Sequence, residues 1–183
     1  GVVKNNQFIG NEVGLIASGN TSIDTIENHF TKNHVSLAYE ENANGQIKEN
    51  SFFENRGAIL IKGNADVSVL NNSCKKVDGA IGLFENCNVL VEGNEIKDGE
   101  KSIIARNYTK AQIIDNLIDG NVEGIHSTEN SNTEILKNSI LNIEKFGVLI
   151  QDESTTYIAE NIIKNNGAVI KVDNKSIFRV ENN

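Results

Sequence analysis

The chain has 183 residues, with 17 Lys and Arg against 25 Asp and Glu, and its net charge of −8 argues against a surface built for nucleic-acid phosphates. Apolar runs last only a few residues, so none reads as a membrane span, and no basic-then-apolar leader opens the chain. Two cysteines are too few for a disulfide-dense scaffold, and an apolar content of 38% is too high for a disordered chain.

Asn accounts for 29 residues, Ile for 24 and Leu for only 10, while Pro, Met and Trp are absent. Excess Ile and Val over Leu favours strands, and surplus Asn with scattered Gly favours tight turns, because both tolerate left-handed backbone angles. With no initiator Met, the chain is expected to be one domain, residues 1–183, of a longer protein.

The first unit runs Val3, Asn6, Phe8, Asn11, Gly14-Leu15-Ile16, and the second repeats it as Thr25, Asn28, Phe30, Asn33, Ser36. The third carries Ile47, Asn50, Phe52, Asn55 and Ala58-Ile59-Leu60-Ile61; the fourth Val69, Asn72, Cys74 and Ala80; the fifth Val91, Asn94, Ile96 and Ser102-Ile103-Ile104. Ile113, Asn116, Ile118, Asn121 and Gly124 continue the series, followed by Ile135, Asn138 and Ile140. The main Asn column steps by 22 residues from Asn6 to Asn138, slips by one to Asn161, and resumes at Asn183. The extra residue is expected in a bulged turn within Val148–Tyr157.

Each unit therefore holds three short strand-like pieces separated by turns. A unit of 22 residues cannot bury its own apolar face, but stacked units build a continuous core. Alternation along a strand turns the residues three and five before each Asn inward together; those two, nine and eleven after it supply the other walls. Tyr39 falls in such an inward column, and the Phe8, Phe30, Phe52 column reads as a core stack. The Asn side chains stack as a ladder of hydrogen bonds between coils. The fold expected is all-β: a single-stranded right-handed parallel β-helix of about eight coils, roughly 40 Å long. A leucine-rich repeat shares the apolar-x-x-Asn-x-apolar core but needs Leu on its convex side, where this chain has Gly57-Ala58-Ile59-Leu60-Ile61.

Units such as Ile135-Leu136-Lys137-Asn138-Ser139-Ile140 with Phe146-Gly147-Val148-Leu149-Ile150 resemble the pectate-lyase-like β-helix superfamily over nearly the whole chain. Within it they look like the carbohydrate-binding and sugar-hydrolase repeats shared by NosD-type and β-helical F-box proteins. The resemblance implies the architecture; its members span lyases, epimerases, hydrolases, tailspikes and protein-recognition modules, so activity must be read from residues.

Lyase chemistry in such a family implies acids holding Ca²⁺ against a uronate, with Arg or Lys as base. The best acid pair is Asp98 and Asp119, on neighbouring coils just after a strand, with Asp78 one coil earlier. They are the catalytic candidates of an enzyme reading, as lyase, epimerase or inverting hydrolase, although Asp suits turns by preference alone. Lys75, Lys97, Asp78 and the outward Phe53 are the candidate binding residues. Acids also recur in the turn after the third strand (Glu40, Glu41, Glu85, Glu129, Asp152, Glu153, Asp173) and just before the Asn (Glu27, Glu49, Asp115, Glu160), as negative stripes. His29, His34 and His126 share no column of adjacent coils, so no metal site is expected. Cys74 reads as core and Cys87 as loop; no bridge is suggested.

The preferred reading is a non-catalytic recognition or scaffold module presenting a rigid ladder surface to a protein or carbohydrate, with no cofactor; Ca²⁺ enters only under the lyase alternative. No capping helix is visible at either end, so capping by flanking segments or end-to-end stacking of copies is expected.

Overall fold

The computed structural model describes residues 1–183, in 25 strands and no helix. The chain winds through three parallel sheets, one of nine strands and two of eight, each coil contributing one strand to each sheet. The result is a right-handed solenoid of about eight coils. Pairing follows the sequence repeat: Val69 faces Val91 in the first sheet, Cys74 faces Ile96 in the second and Ile81 faces Ile103 in the third.

The three inward walls hold the expected side chains. Val67 and Val69 in strand Asp66–Leu70, Phe52 in Ser51–Phe53, and Ile59 and Ile61 in Gly57–Ile61 are all buried. Phe8, Phe30 and Phe52 stack at 4.7 and 4.9 Å between ring centroids, the separation set by the coil rise. Tyr39 is interior, its hydroxyl donating to the Ile23 carbonyl at 2.8 Å and lying 3.0 Å from Thr25 Oγ1; burial pushes its phenol up to about 12. The small column before the third wall packs directly on the next coil. A Cβ on Gly124 would collide with the Gly147 carbonyl.

Ladder Asn side chains are buried from Asn28 to Asn161, with Asn6 at the exposed end. Asn94 shows the arrangement. Its Oδ1 accepts from the Asn72 backbone N–H at 2.9 Å, and its Nδ2 donates to the Val69 and Glu92 carbonyls and to Asn116 Oδ1, at 2.9, 3.1 and 3.0 Å. The Glu92 bond reaches back across Gly93, and the residue in that place has a left-handed φ in every coil: Asn5, Glu27, Glu49, Asn71, Gly93, Asp115, Lys137, Glu160. A non-glycine residue in this conformation costs roughly 1–2 kcal/mol, which the side-chain bond across the turn offsets. A second ladder joins Asn11, Asn33 and Asn55, lapses at Val77, and returns where Asn121 accepts from the Gly99 N–H at 2.8 Å.

One feature departs from the sequence reading and two go beyond it. The extra residue lies not in Val148–Tyr157 but at Lys145, before strand Phe146–Ile150. Lys145 N donates to the Val122 carbonyl while its own carbonyl accepts from Ala168, roles that two successive residues share in other coils. Cys87 sits in a turn but points inward, fully buried, with Sγ 3.4 Å from Thr109 Oγ1. In coils six and seven the interior turns polar: Ser127, Ser131, Thr133 and Thr156 form a closed group of buried hydroxyl bonds. Buried hydroxyls are tolerated there because each has a partner.

Exposed large apolar side chains concentrate in the first coil (Val2, Ile9, Val13, Ile16) and the last turns (Val169, Ile177, Phe178, Val180). No helix is long and apolar enough to cross a membrane.

Replacing Asn94 by Ala removes all these side-chain bonds and orphans the buried Asn72 N–H. A loss of roughly 2–4 kcal/mol is expected in denaturant unfolding. Asn6→Ala, at the open end of the ladder, should cost much less.

Candidate functional site

The second sheet carries most of the residues singled out from the sequence. Phe53, Lys75, Lys97 and Asp119 pair in series across adjacent strands and form one outward column. Phe53 is 39% exposed, with Lys76 Nζ 5.7 Å from its ring centroid. Asp98 follows Lys97 in a left-handed turn, φ 55°, and its N–H bonds the Asp119 carbonyl at 3.3 Å. The two carboxylates are engaged elsewhere: Asp98 Oδ2 lies 3.8 Å from Lys75 Nζ, and Asp119 Oδ1 accepts from Asn142 Nδ2 at 2.7 Å. Lys97 pairs with Glu95, whose hydrogen bond raises the ammonium pKa. Asp78 lines a different depression of about 510 Å³ with Lys32, Glu54, Arg56 and Lys76. No group of three or more His, Cys, Asp or Glu side chains is gathered in the molecule.

The acidic turn columns lie where the repeat puts them. Glu129, Asp152 and Glu153 line one hollow and Glu40, Glu41 and Glu85 another, each with left-handed residues at the turn. Lys175 and Lys62 pair with Glu153 and Glu40 at 3.8 and 3.2 Å.

The outer face of the first sheet holds a long, mostly polar track. Its outward side chains come in two columns, Asn44, Asp66, Asn88, Lys110, Asn132, Thr155 and Gln46, Ser68, Leu90, Gln112, Glu134, Tyr157. A groove of about 340 Å³ runs from Asp66 to Glu134. A second hollow of about 340 Å³, reaching Tyr157 and Arg179, shares Asn132 and Glu134 with it. Gln112 Nε2 donates to Glu134 Oε2 at 2.9 Å and Asn88 Nδ2 to Asp66 Oδ1 at 3.2 Å. Tyr157 donates to Glu181, which raises its pKa, and Arg179 lies 5.8 Å from its ring centroid. Alternation within the pre-Asn strand held the signal for this face, since residues four and six before each Asn must point outward when three and five point in.

On the third sheet, His126 lies in the outward column between Ile104 and Leu149, yet its side chain is only 7% exposed. The Phe146 ring lies against it, centroids 5.2 Å apart. Burial holds the imidazole down at about 4, against the pull of Glu123. For Glu123 burial pushes upward, but the 2.9 Å bond from Lys145 and the neighbouring positive charges outweigh it and leave the carboxyl below its ordinary value.

A model of the right handed beta helix region matches residues 1–126 and 57–183. No curated protein and no solved structure matches the chain.

The His126 shift predicts an acid-sensitive fold. Between about pH 6.5 and 4 the unfolded imidazole is protonated and the folded one neutral, so the unfolded state binds more protons and stability falls as pH is lowered. The loss is at most about 3 kcal/mol. Denaturant midpoints measured across this window should fall in the parent chain and flatten in His126→Leu, whose side chain matches its column neighbours.

Proposed function

The chain belongs to the right-handed β-helix family, and from that premise we propose that it is a non-catalytic recognition module that binds a glycan along the outer face of its first sheet. The observation that supports this most is the column Asp66, Asn88, Lys110, Asn132 and Thr155, polar at every coil, with Gln112, Glu134, Tyr157 and Arg179 beside it in a second column that Leu90 interrupts. Spaced at one coil rise over six strands, the two columns together extend roughly 24 Å. Amides and hydroxyls both donate and accept, as sugar hydroxyls do, and a sheet locked by its own ladders pays little ordering entropy when a ligand docks. The open, shallow groove suits an extended chain better than a small molecule. A protein partner using the same polar ladder is the neighbouring reading, and it would engage the same side chains.

Titration of the chain with neutral and uronate-containing oligosaccharides, with and without Ca²⁺, tests the proposal by calorimetry and by product analysis. Saturable binding without cleavage is expected, weakened at least tenfold, about 1.4 kcal/mol, when Gln112 and Glu134 are both replaced by Ala. Absence of binding across the panel would remove the glycan assignment. Cleavage that disappears in Asp98→Asn or Asp119→Asn would replace it with an enzyme centred on the second sheet.

A further inference from the structure

Only four buried side-chain polar atoms in the molecule lack a hydrogen-bond partner: Ser36 Oγ, Arg106 Nε, His126 Nε2 and Thr128 Oγ1. Three of the four fall on one patch. Ile104 pairs with His126 and Ala105 with Ser127, and Thr128 N donates to the Ala105 carbonyl at 3.0 Å, so Arg106 and Thr128, the first residues past the two strands, stand side by side. His126 projects from the same outer face two residues before Thr128. The three side chains thus occupy neighbouring corners of a lattice about 4.8 Å between coils and about 6.7 Å along the strand. Orphaned buried polar groups are uncommon, and three together point to a missing partner.

Two further observations meet at this patch. Arg106 forms no ion pair and its guanidinium donates no hydrogen bond within the protein, although the chain carries eight more acids than Lys and Arg residues together. The one departure from the 22-residue step, Lys145, also lies here. It brings the Lys145 ammonium 2.9 Å from Glu123 Oε1 and sets Phe146 against the His126 ring. Glu123 Oε2 is 3.3 Å from His126 Nε2, without the alignment of a hydrogen bond, and its charge is matched by Lys145.

We propose that the outer face of the third sheet carries an oxyanion-binding site formed by Arg106, His126 and Thr128, separate from the glycan track on the first sheet and independent of it. The chemistry of the three groups selects the ligand. Arg106 Nε only donates, Thr128 donates through its hydroxyl, and a neutral imidazole protonated on Nε2 donates as well, so the complement is a group with several acceptor oxygens and negative charge. Carboxylate, sulfate and phosphate share that chemistry. Entry requires a long side chain at the patch to swing aside. Arg106, whose guanidinium no partner holds, is the one that moves, while Lys145 stays on Glu123 and keeps its charge matched.

The imidazole of His126 is the reporter. The intact chain at pH 7 and constant ionic strength is titrated with inorganic phosphate, sulfate and acetate, with chloride as control, while the three histidine ring signals are followed by NMR. His126 is assigned by its loss in His126→Leu. A saturable shift confined to His126, absent with chloride and weakened at least tenfold in Arg106→Gln, is expected. Response to phosphate and sulfate alone would identify a tetrahedral anion, and response to acetate a carboxylate. The folded state of Arg106→Gln and of Thr128→Val is checked by the retained dispersion of the remaining spectrum. No saturable response with any anion, or one unchanged in both variants, would overturn the site and leave the three atoms to a structural water.

Discussion

Everything in this fold depends on coils stacking in register, and the Asn ladder is the interaction that enforces it. Each ladder Asn binds its own coil across a left-handed turn and the coils on either side, so a slip of one residue would break all of these bonds at once. The apolar columns add the bulk of the burial, but burial alone is tolerant of register: Phe, Cys and Ile interchange along the second wall at Phe52, Cys74 and Ile96. The amide is not tolerant, because its donors and acceptor must meet fixed backbone groups. The one slipped coil illustrates the point: the extra residue is absorbed at Lys145, and Asn138 still bonds Asn161 at 3.0 Å.

Register of this kind turns a sequence column into a physical row. On the first sheet it yields two outward rows of side chains, polar but for Leu90. On the second it aligns Phe53, Lys75, Lys97 and Asp119. On the third it sets Arg106 beside Thr128. Recognition by such a surface comes from spacing and preorganisation, with little need for long loops.

Much of this was legible beforehand. The step of 22, the inward columns, the Phe stack, the interior position of Tyr39 and both Asn columns follow from periodicity, since a side chain's facing in a strand depends only on its parity. The proximity of Asp98 to Asp119 was legible for the same reason. That Asp98 faces Lys75 and Asp119 faces Asn142 was not, because rotamers and neighbours across a turn are not encoded in column position. That Cys87, in its turn, points into the core was not legible either, because column position in a strand does not say which way a residue at a corner between coils faces.

The sequence by itself determined the architecture: a repeat of fixed length with β-branched walls and Asn at each turn has one economical packing, parallel coils with the amides stacked. The tertiary structure alone decided which outward residues form a groove, where the extra residue is taken up, and that His126, outward by parity, is nevertheless buried. Parity fixes the side of a sheet on which a residue lies, but burial on the outer side depends on whether neighbouring coils supply long side chains to cover it, and that is a property of the assembled surface.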